Sequence, residues 1–302
     1  MNAAADTVCH IDWLGTDDGA RLRRGHWRPH GPSTPPRGRV LLLQGLSEFL
    51  EKYTEVAQQL TARGLEVWSF DWRGQGHSTL GDRPPRNAFE RHLADLEIVL
   101  AQLPPGPPLL LLAHSMGAHL ALRQMLRRPR LVVRAVLCAP MLGIRTRPWP
   151  QWLARRLARW MIRLGFGRRS LPGRANYTPL TIPFAVNPLT SDRASYERLR
   201  RRIEADPGLA FGQVDWYWLA AAFESLDRLH AADLARLDTP LLMLLAGHDQ
   251  VVDSAAAAAF AARLPRARVQ WIAGARHELL QEAPAIQAAV WAAIDREFAA
   301  AG

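Results

Sequence analysis

Cysteine is nearly absent: Cys9 and Cys138 are the only two in the 302 residues. A pair so far apart builds neither a disulfide framework nor a metal cluster, and it fits a reducing compartment. No apolar stretch approaches the roughly 20 residues of a membrane-spanning helix. The opening "MNAAADTVCHIDW" has no basic n-region and no apolar h-region, so no secretory signal is expected. Lysine is rarer than cysteine. Lys52 stands alone, and the formal charge of +10 is carried almost wholly by arginine. Acid is missing locally: no Asp or Glu occurs from Ile98 to Ser191, where arginines are frequent. A GC-rich genome spells its basic residues as arginine, and that accounts for the composition. It does not account for the segregation, which points to an anionic surface. No nucleic-acid-binding module accompanies the charge, so nucleic acid is not the expected partner.

Short apolar runs alternate with helical patterns. "RVLLLQG", "LEVWSFDW", "PLLLLAHS", "VVRAVLCAP", "TPLLMLLAG" and "ARVQWIAG" read as strands. "YTEVAQQLTARG", "NAFERHLADLEIVLAQL", "MGAHLALRQMLRR", "SAAAAAFAARL" and "APAIQAAVWAAIDREFAA" read as helices. Continuous apolar strands alternating with helices predict an α/β fold, a mostly parallel sheet covered on both faces. The segment around "DDG" predicts an antiparallel hairpin that starts the sheet. The alternation breaks between about Ile144 and Leu237. That stretch holds prolines, tryptophans and helical patches with no evident strand, and predicts an inserted helical cap. The expected organisation is core 1–144, cap 145–237 and core 238–302. At 302 residues and 48% hydrophobic, the chain can bury the core this requires. No internal repeat is present.

One strand ends in "LLAHSMGAHLAL", where Ser115 sits between a strand and a helix with Gly117 two residues on. That is the context of a nucleophile elbow, which lifts a serine hydroxyl above the carboxyl end of a sheet. The alternative is a helix-capping serine. The G-x-S-x-G pattern is met at Gly117 and not at Ala113, although alanine is small. A nucleophilic serine needs a base and an acid to orient it, in the chain order Ser, Asp, His. Asp249 follows the strand in "LLMLLAGHDQVVD", and His277 follows the next one in "VQWIAGARHELL". Both lie at strand carboxyl ends, where open α/β sheets place their sites. Each alone reads as an ordinary turn or surface residue; the order and context join them. The backbone N–H of Met116, at the helix start, and that of Leu46, after a turn at Gly45, are candidate oxyanion donors. "DWRGQGHS" lacks the lysine and spacing of a phosphate loop and reads as a brace for the oxyanion loop. His114 and His119 do not have H-E-x-x-H spacing, and no metal or cofactor is expected.

The blocks "LLLQGLSEFLEKY", "FDWRGQGHS", "AHSMGAHLAL", "AGHDQVVD" and "GARHELLQE" occur in order. They resemble the lysophospholipase and monoacylglycerol lipase branch of the serine α/β-hydrolases (serine aminopeptidase S33-like), bacterial lysophospholipases above all. The resemblance covers nearly the whole chain except the cap. It implies an α/β-hydrolase fold and a triad of Ser115, Asp249 and His277, with oxyanion donors at Leu46 and Met116. It also implies cleavage of a carboxylic ester of a single-chain lipid. Many relatives have His-Gly at Gln44-Gly45 and Gly at Ala113; Gln44 can still donate a hydrogen bond to order its loop. A carboxylesterase for small soluble esters and a non-catalytic α/β-hydrolase scaffold are the alternatives.

Within the insertion, "WPQWLARRLARWMIRLGFGRR" places Trp149, Trp152, Leu153, Leu157, Trp160, Met161 and Leu164 on one helical side. Arg155, Arg156, Arg159 and Arg163 fall on the other. Such a helix lies in a lipid interface or packs its apolar side on the enzyme. Trp152 and Trp160, with Trp216 and Trp218 of "DWYWLAAAF", are the candidate acyl-chain contacts. The expected setting is the cytoplasm, with the arginines facing an anionic membrane.

Overall fold

A computed structural model describes residues 9–29, 36–82, 87–146, 149–175, 180–210 and 213–300. The first eight residues, on which the expectation of no secretory signal draws, lie outside them. The chain runs β1 (His10–Gly15), β2 (Arg21–Trp27), β3 (Gly38–Leu43), α1 (Thr54–Ala62), β4 (Leu65–Phe70), α2 (Ala88–Ala101), β5 (Leu109–His114), α3 (Ser115–Arg127) and β6 (Arg134–Cys138). The insertion carries α4 (Gln151–Arg163), β7 (Ser170–Ala175), α5 (Arg193–Ala205), β8 (Gln213–Asp215) and α6 (Trp216–His230). The core resumes with β9 (Leu241–Ala246), α7 (Ser254–Ala261), β10 (Ala267–Ile272) and α8 (Pro284–Ala299).

Eight strands form one sheet in the order β1-β2-β4-β3-β5-β6-β9-β10. β1 pairs antiparallel with β2, and β2 antiparallel with β4; every later pairing is parallel. The continuous apolar strands follow from burial on both faces, because successive side chains point to opposite sides. Leu41, Leu43, Leu111, Leu137 and Met243 pack on the face covered by α2, α3 and α7. Val40, Leu42, Leu110, Leu112, Val136 and Leu244 pack on the face covered by α1 and α8. Among the described residues no helix is long and apolar enough to cross a membrane.

The insertion differs from expectation in one respect. It contains strands, since β7 and β8 form a small antiparallel sheet of their own. Their short, irregular pairing carries no alternating hydrophobic signal. α4 and α6 pack together through Ala154 and Ala158, whose small side chains let Trp216, Leu219, Phe223 and Leu226 approach. Residues 187–191 instead belong to the scaffold of the core's last loop. Glu278 N–H donates to the Leu189 carbonyl (2.8 Å), and the Arg276 guanidinium donates to the carbonyls of Asn187 (2.8 Å) and Thr190 (3.1 Å). The fully buried Glu282 accepts from Ser191 N–H (3.0 Å) and Oγ (2.5 Å).

The sharpest packing constraint is at Gly117. A Cβ there would lie 2.7 Å from the Leu43 carbonyl oxygen and closer still to that of Gln44. Both obstacles are backbone, so α3 would have to back away from β3. Gly117→Ala is expected to destabilise the fold by about 1–3 kcal/mol, read as a lower urea midpoint with an unchanged slope; an unchanged midpoint would contradict the packing.

Candidate active site

β5 carries its extended geometry to His114 (φ −119°, ψ 139°), and Ser115 turns into the left-handed region at φ 49°. A non-glycine residue rarely sits there. The turn aims the Ser115 hydroxyl above the sheet edge while α3 starts at the same residue. Ser115 therefore does not cap the helix: the N-cap position is His114, and no side chain caps it. Its Oγ instead lies 2.9 Å from Nε2 of His277. On the other side of that ring, Nδ1 lies 2.8 Å from Asp249 Oδ2. With Nδ1–H donated to the carboxylate, Nε2 is left to accept the serine proton. The three side chains come from the ends of β5, β9 and β10, and they are 7%, 5% and 4% exposed for Ser115, Asp249 and His277.

Asp249 does two jobs. Its Oδ1 accepts from the N–H groups of Val251 (2.8 Å) and Val252 (2.9 Å), which fixes the turn, while Oδ2 holds the imidazole. Burial pushes its carboxyl up, but the facing imidazole and the two backbone donors outweigh burial and hold it below the usual carboxylate value. It stays ionised wherever His277 can serve as a base.

The first turn of α3 leaves the Met116 N–H without an intrahelical acceptor, and the Leu46 N–H has no acceptor among the described residues. The loop that leaves β3, which carries the candidate donor Leu46, is braced by the segment "DWRGQGHS". Ser47 N–H donates to Gln75 Oε1 (2.6 Å), Leu50 N–H to Asp71 Oδ1 (2.8 Å), and Trp72 Nε1–H to the Gln44 carbonyl (2.9 Å). The Gln44 side chain donates to Ser69 Oγ (3.3 Å). Gly45 is not the turning residue; Ser47 takes the left-handed conformation at φ 62°. Glycine is needed at 45 for a different reason, because a Cβ would fall 2.7 Å from Glu48 Oε2 and 2.9 Å from His114 Nδ1.

A sequence model of the family "serine aminopeptidase, S33" matches residues 34–284. The chain belongs to this family. Lysophospholipase L2 of Escherichia coli (strain K12) is 31% identical over 276 residues, covering 84% of this chain and 78% of that protein. Human monoglyceride lipase is 30% identical over 127 residues, 41% of each chain. Among solved structures, a soluble variant of monoglyceride lipase from Saccharomyces cerevisiae with a substrate analog covers 100% of this chain at 18% identity and a TM-score of 0.77. The monoacylglycerol lipase of Paleococcus ferrophilus covers 91% at 22% identity and a TM-score of 0.69. The S33 family's α/β-hydrolase fold is thus the fold of this chain.

The four tryptophans do not share one environment. Trp216 is buried in the contact between α4 and α6. Trp218 is half-buried, touches both the sheet-side and the insertion clusters, and lies 5.8 Å from the Phe89 ring. Trp152 and Trp160 are 62% and 58% exposed on the outer side of α4, so they are not walls of a buried acyl cavity. The periodicity was sound, but Ala154 and Ala158 allow closer contact with α6 than the indoles, and the helix turns its small residues inward.

Sequence reasoning assigned no role to Glu48, Lys52, Tyr53 or Glu278, which form a buried charged group behind His277. The available signal was composition: a lone lysine in an arginine-rich chain. Here its compact ammonium bridges the carboxylates of Glu48 and Glu278. For the triad, Asp249→Asn is expected to lower kcat roughly 10³–10⁴-fold with little change in KM, and Ser115→Ala to lower it at least as far. Steady-state hydrolysis of a soluble ester measures both, and near-normal kcat in either variant would refute the assignment.

Proposed function

We propose that the protein is a serine hydrolase that cleaves the carboxylic ester of a single-chain lipid, a lysophospholipid or a monoacylglycerol, through an acyl-enzyme. The observation that carries this reading is the unbroken relay from Asp249 Oδ2 through His277 to Ser115 Oγ, at 2.8 and 2.9 Å. His277 takes the serine proton as Oγ attacks the ester carbonyl. The N–H groups of Leu46 and Met116 receive the developing oxyanion, helped by the amino end of α3. His277 protonates the leaving alcohol, and a water activated by the same nitrogen then releases the fatty acid. Relatives named lysophospholipase and monoglyceride lipase support a lipid ester as substrate. Trp218, at the seam between insertion and sheet, is the proposed acyl-chain contact.

The same reading gives α4 a role. Arg156, Arg159 and Arg163 line a surface groove with Leu153, Leu157 and Trp160. Arg155 pairs with Asp227 (2.6 Å), whereas those three have no acidic partner among the described residues. Exposed tryptophan beside unpaired arginine suits an anionic lipid face, here the cytoplasmic side of a membrane, where the substrate resides.

A panel of lysophosphatidylcholine, lysophosphatidylethanolamine, monoolein and a short nitrophenyl ester tests the substrate class. Each acyl CH₂ buried adds roughly 0.8 kcal/mol, so kcat/KM on a long-chain lipid ester is expected to exceed that on the short ester about tenfold or more. The reverse ranking would make the protein an esterase of small soluble substrates. Co-sedimentation tests the surface. Binding to phosphatidylglycerol-rich vesicles is expected to exceed binding to phosphatidylcholine vesicles, and to fall about fivefold for each of Arg156→Ala and Arg159→Ala, from roughly 1 kcal/mol per arginine. Equal binding to both vesicles would remove the electrostatic argument.

A further inference from the structure

The catalytic serine is preceded by a second buried histidine that the reaction scheme does not use. His114 is 3% exposed, and its ring centroid lies 4.8 Å from that of His277. Its Nδ1 is 3.1 Å from Glu48 Oε2, and its Nε2 is 3.2 Å from the carbonyl oxygen of His277. A carbonyl oxygen only accepts. Glu48 is an acceptor too, because donors already surround it. Lys52 Nζ reaches Oε1 at 2.7 Å, while Tyr53 O–H (2.6 Å) and the Gly45 N–H reach Oε2. A neutral imidazole has one N–H and would turn a lone pair toward one of these two oxygens. Both ring nitrogens therefore carry hydrogen.

The charges around it close. Lys52 Nζ also reaches Glu278 Oε1 at 2.5 Å. Two carboxylates, one ammonium and one imidazolium sum to zero in a group whose members are all 5% exposed or less. A neutral His114 would leave this buried group with an unbalanced negative charge, which is costly. Burial pushes the His114 ring toward neutrality, but the Glu48 carboxylate outweighs it and raises its affinity for the proton. Burial likewise works against the ionised Glu48, and the attraction of Lys52 and His114 holds it well below the usual carboxylate value.

We propose that His114 is a protonated positioning residue that holds the main chain of His277 from behind. Its N–H anchors the carbonyl of the catalytic base. The groups facing His277 are Asp249 from the loop after β9, Ser115 from α3 and His114 from β5, with Glu278 next in its own chain. Those facing His114 are Glu48, Lys52 and Tyr53 from the oxyanion loop and its continuation, and Glu278 from the loop after β10. Cys138, opposite it on β6, is pushed up to about 12 by burial and is uncharged.

This inference rests on the serine-hydrolase reading, and one of its two tests does not need activity. In the full-length ¹⁵N-labelled protein, His114 is expected to show two slowly exchanging ring N–H protons and imidazolium ¹⁵N shifts above pH 7. A single N–H with the pattern of a neutral tautomer overturns the proposal, whether or not the protein hydrolyses esters. In the second test, His114→Gln keeps a donor near the His277 carbonyl and removes the charge. Its kcat on a soluble nitrophenyl ester is expected to fall only a few-fold with KM little changed, whereas His114→Ala, which leaves no donor, is expected to lower kcat about tenfold or more at the same KM. An unchanged kcat in His114→Ala, or no rescue by glutamine in variants that fold, overturns it.

Discussion

The site depends on how closely α3 approaches the end of β3. Gly117 lies against the carbonyls of Leu43 and Gln44, where no side chain fits. That contact goes with the chain reversal at Ser115, which takes a conformation most residues avoid, and puts three things in one place: the serine hydroxyl, the N–H groups at the start of α3, and the loop leaving β3. The strain at residue 115 is of order 1–3 kcal/mol. It is offset by the packing of Met116, Ala118, Leu120 and Leu122, all without exposed surface, on α3. Ser115 is held at the sheet edge by a helix that is among the best-buried elements of the molecule.

Around this turn, buried charge does what apolar packing alone cannot. Asp71 and Gln75 tether the loop after β3, Glu48 crosses from that loop to β5, and Lys52 and Glu278 tie it to the loop that carries His277. Two loops that meet only in space are thereby held in one register. Residues 187–191 of the insertion lock the same catalytic loop from outside through Arg276 and Glu282. The insertion thus has two parts. One completes the scaffold of the base, and the other, α4 with α6, presents an arginine and tryptophan surface to the exterior.

Much of this was legible in the residues. The strands announced themselves as continuous apolar runs, since a sheet buried on both faces has no polar side to show. The meeting of Ser115, Asp249 and His277 was readable because each follows such a run, in the order a Ser-Asp-His relay would use. What stayed hidden shares one cause: it is built from pairs distant in sequence. Glu48 with His114, Lys52 with Glu278 and Ser191 with Glu282 leave no periodic trace. β7 and β8 are short and irregular. The outward turn of Trp152 and Trp160 depends on what α6 offers to α4, and helical spacing alone cannot distinguish an indole facing a partner helix from one facing water.

The central claim is that Ser115 is an activated nucleophile. Active-site-directed labelling with a fluorophosphonate, followed by mass spectrometry of the digested protein, addresses it directly. A single adduct on the Ser115 peptide, formed in the wild-type protein and missing after His277→Ala, is the predicted result. Adducts spread over other serines, or a Ser115 adduct that forms equally fast without the imidazole, would contradict the account.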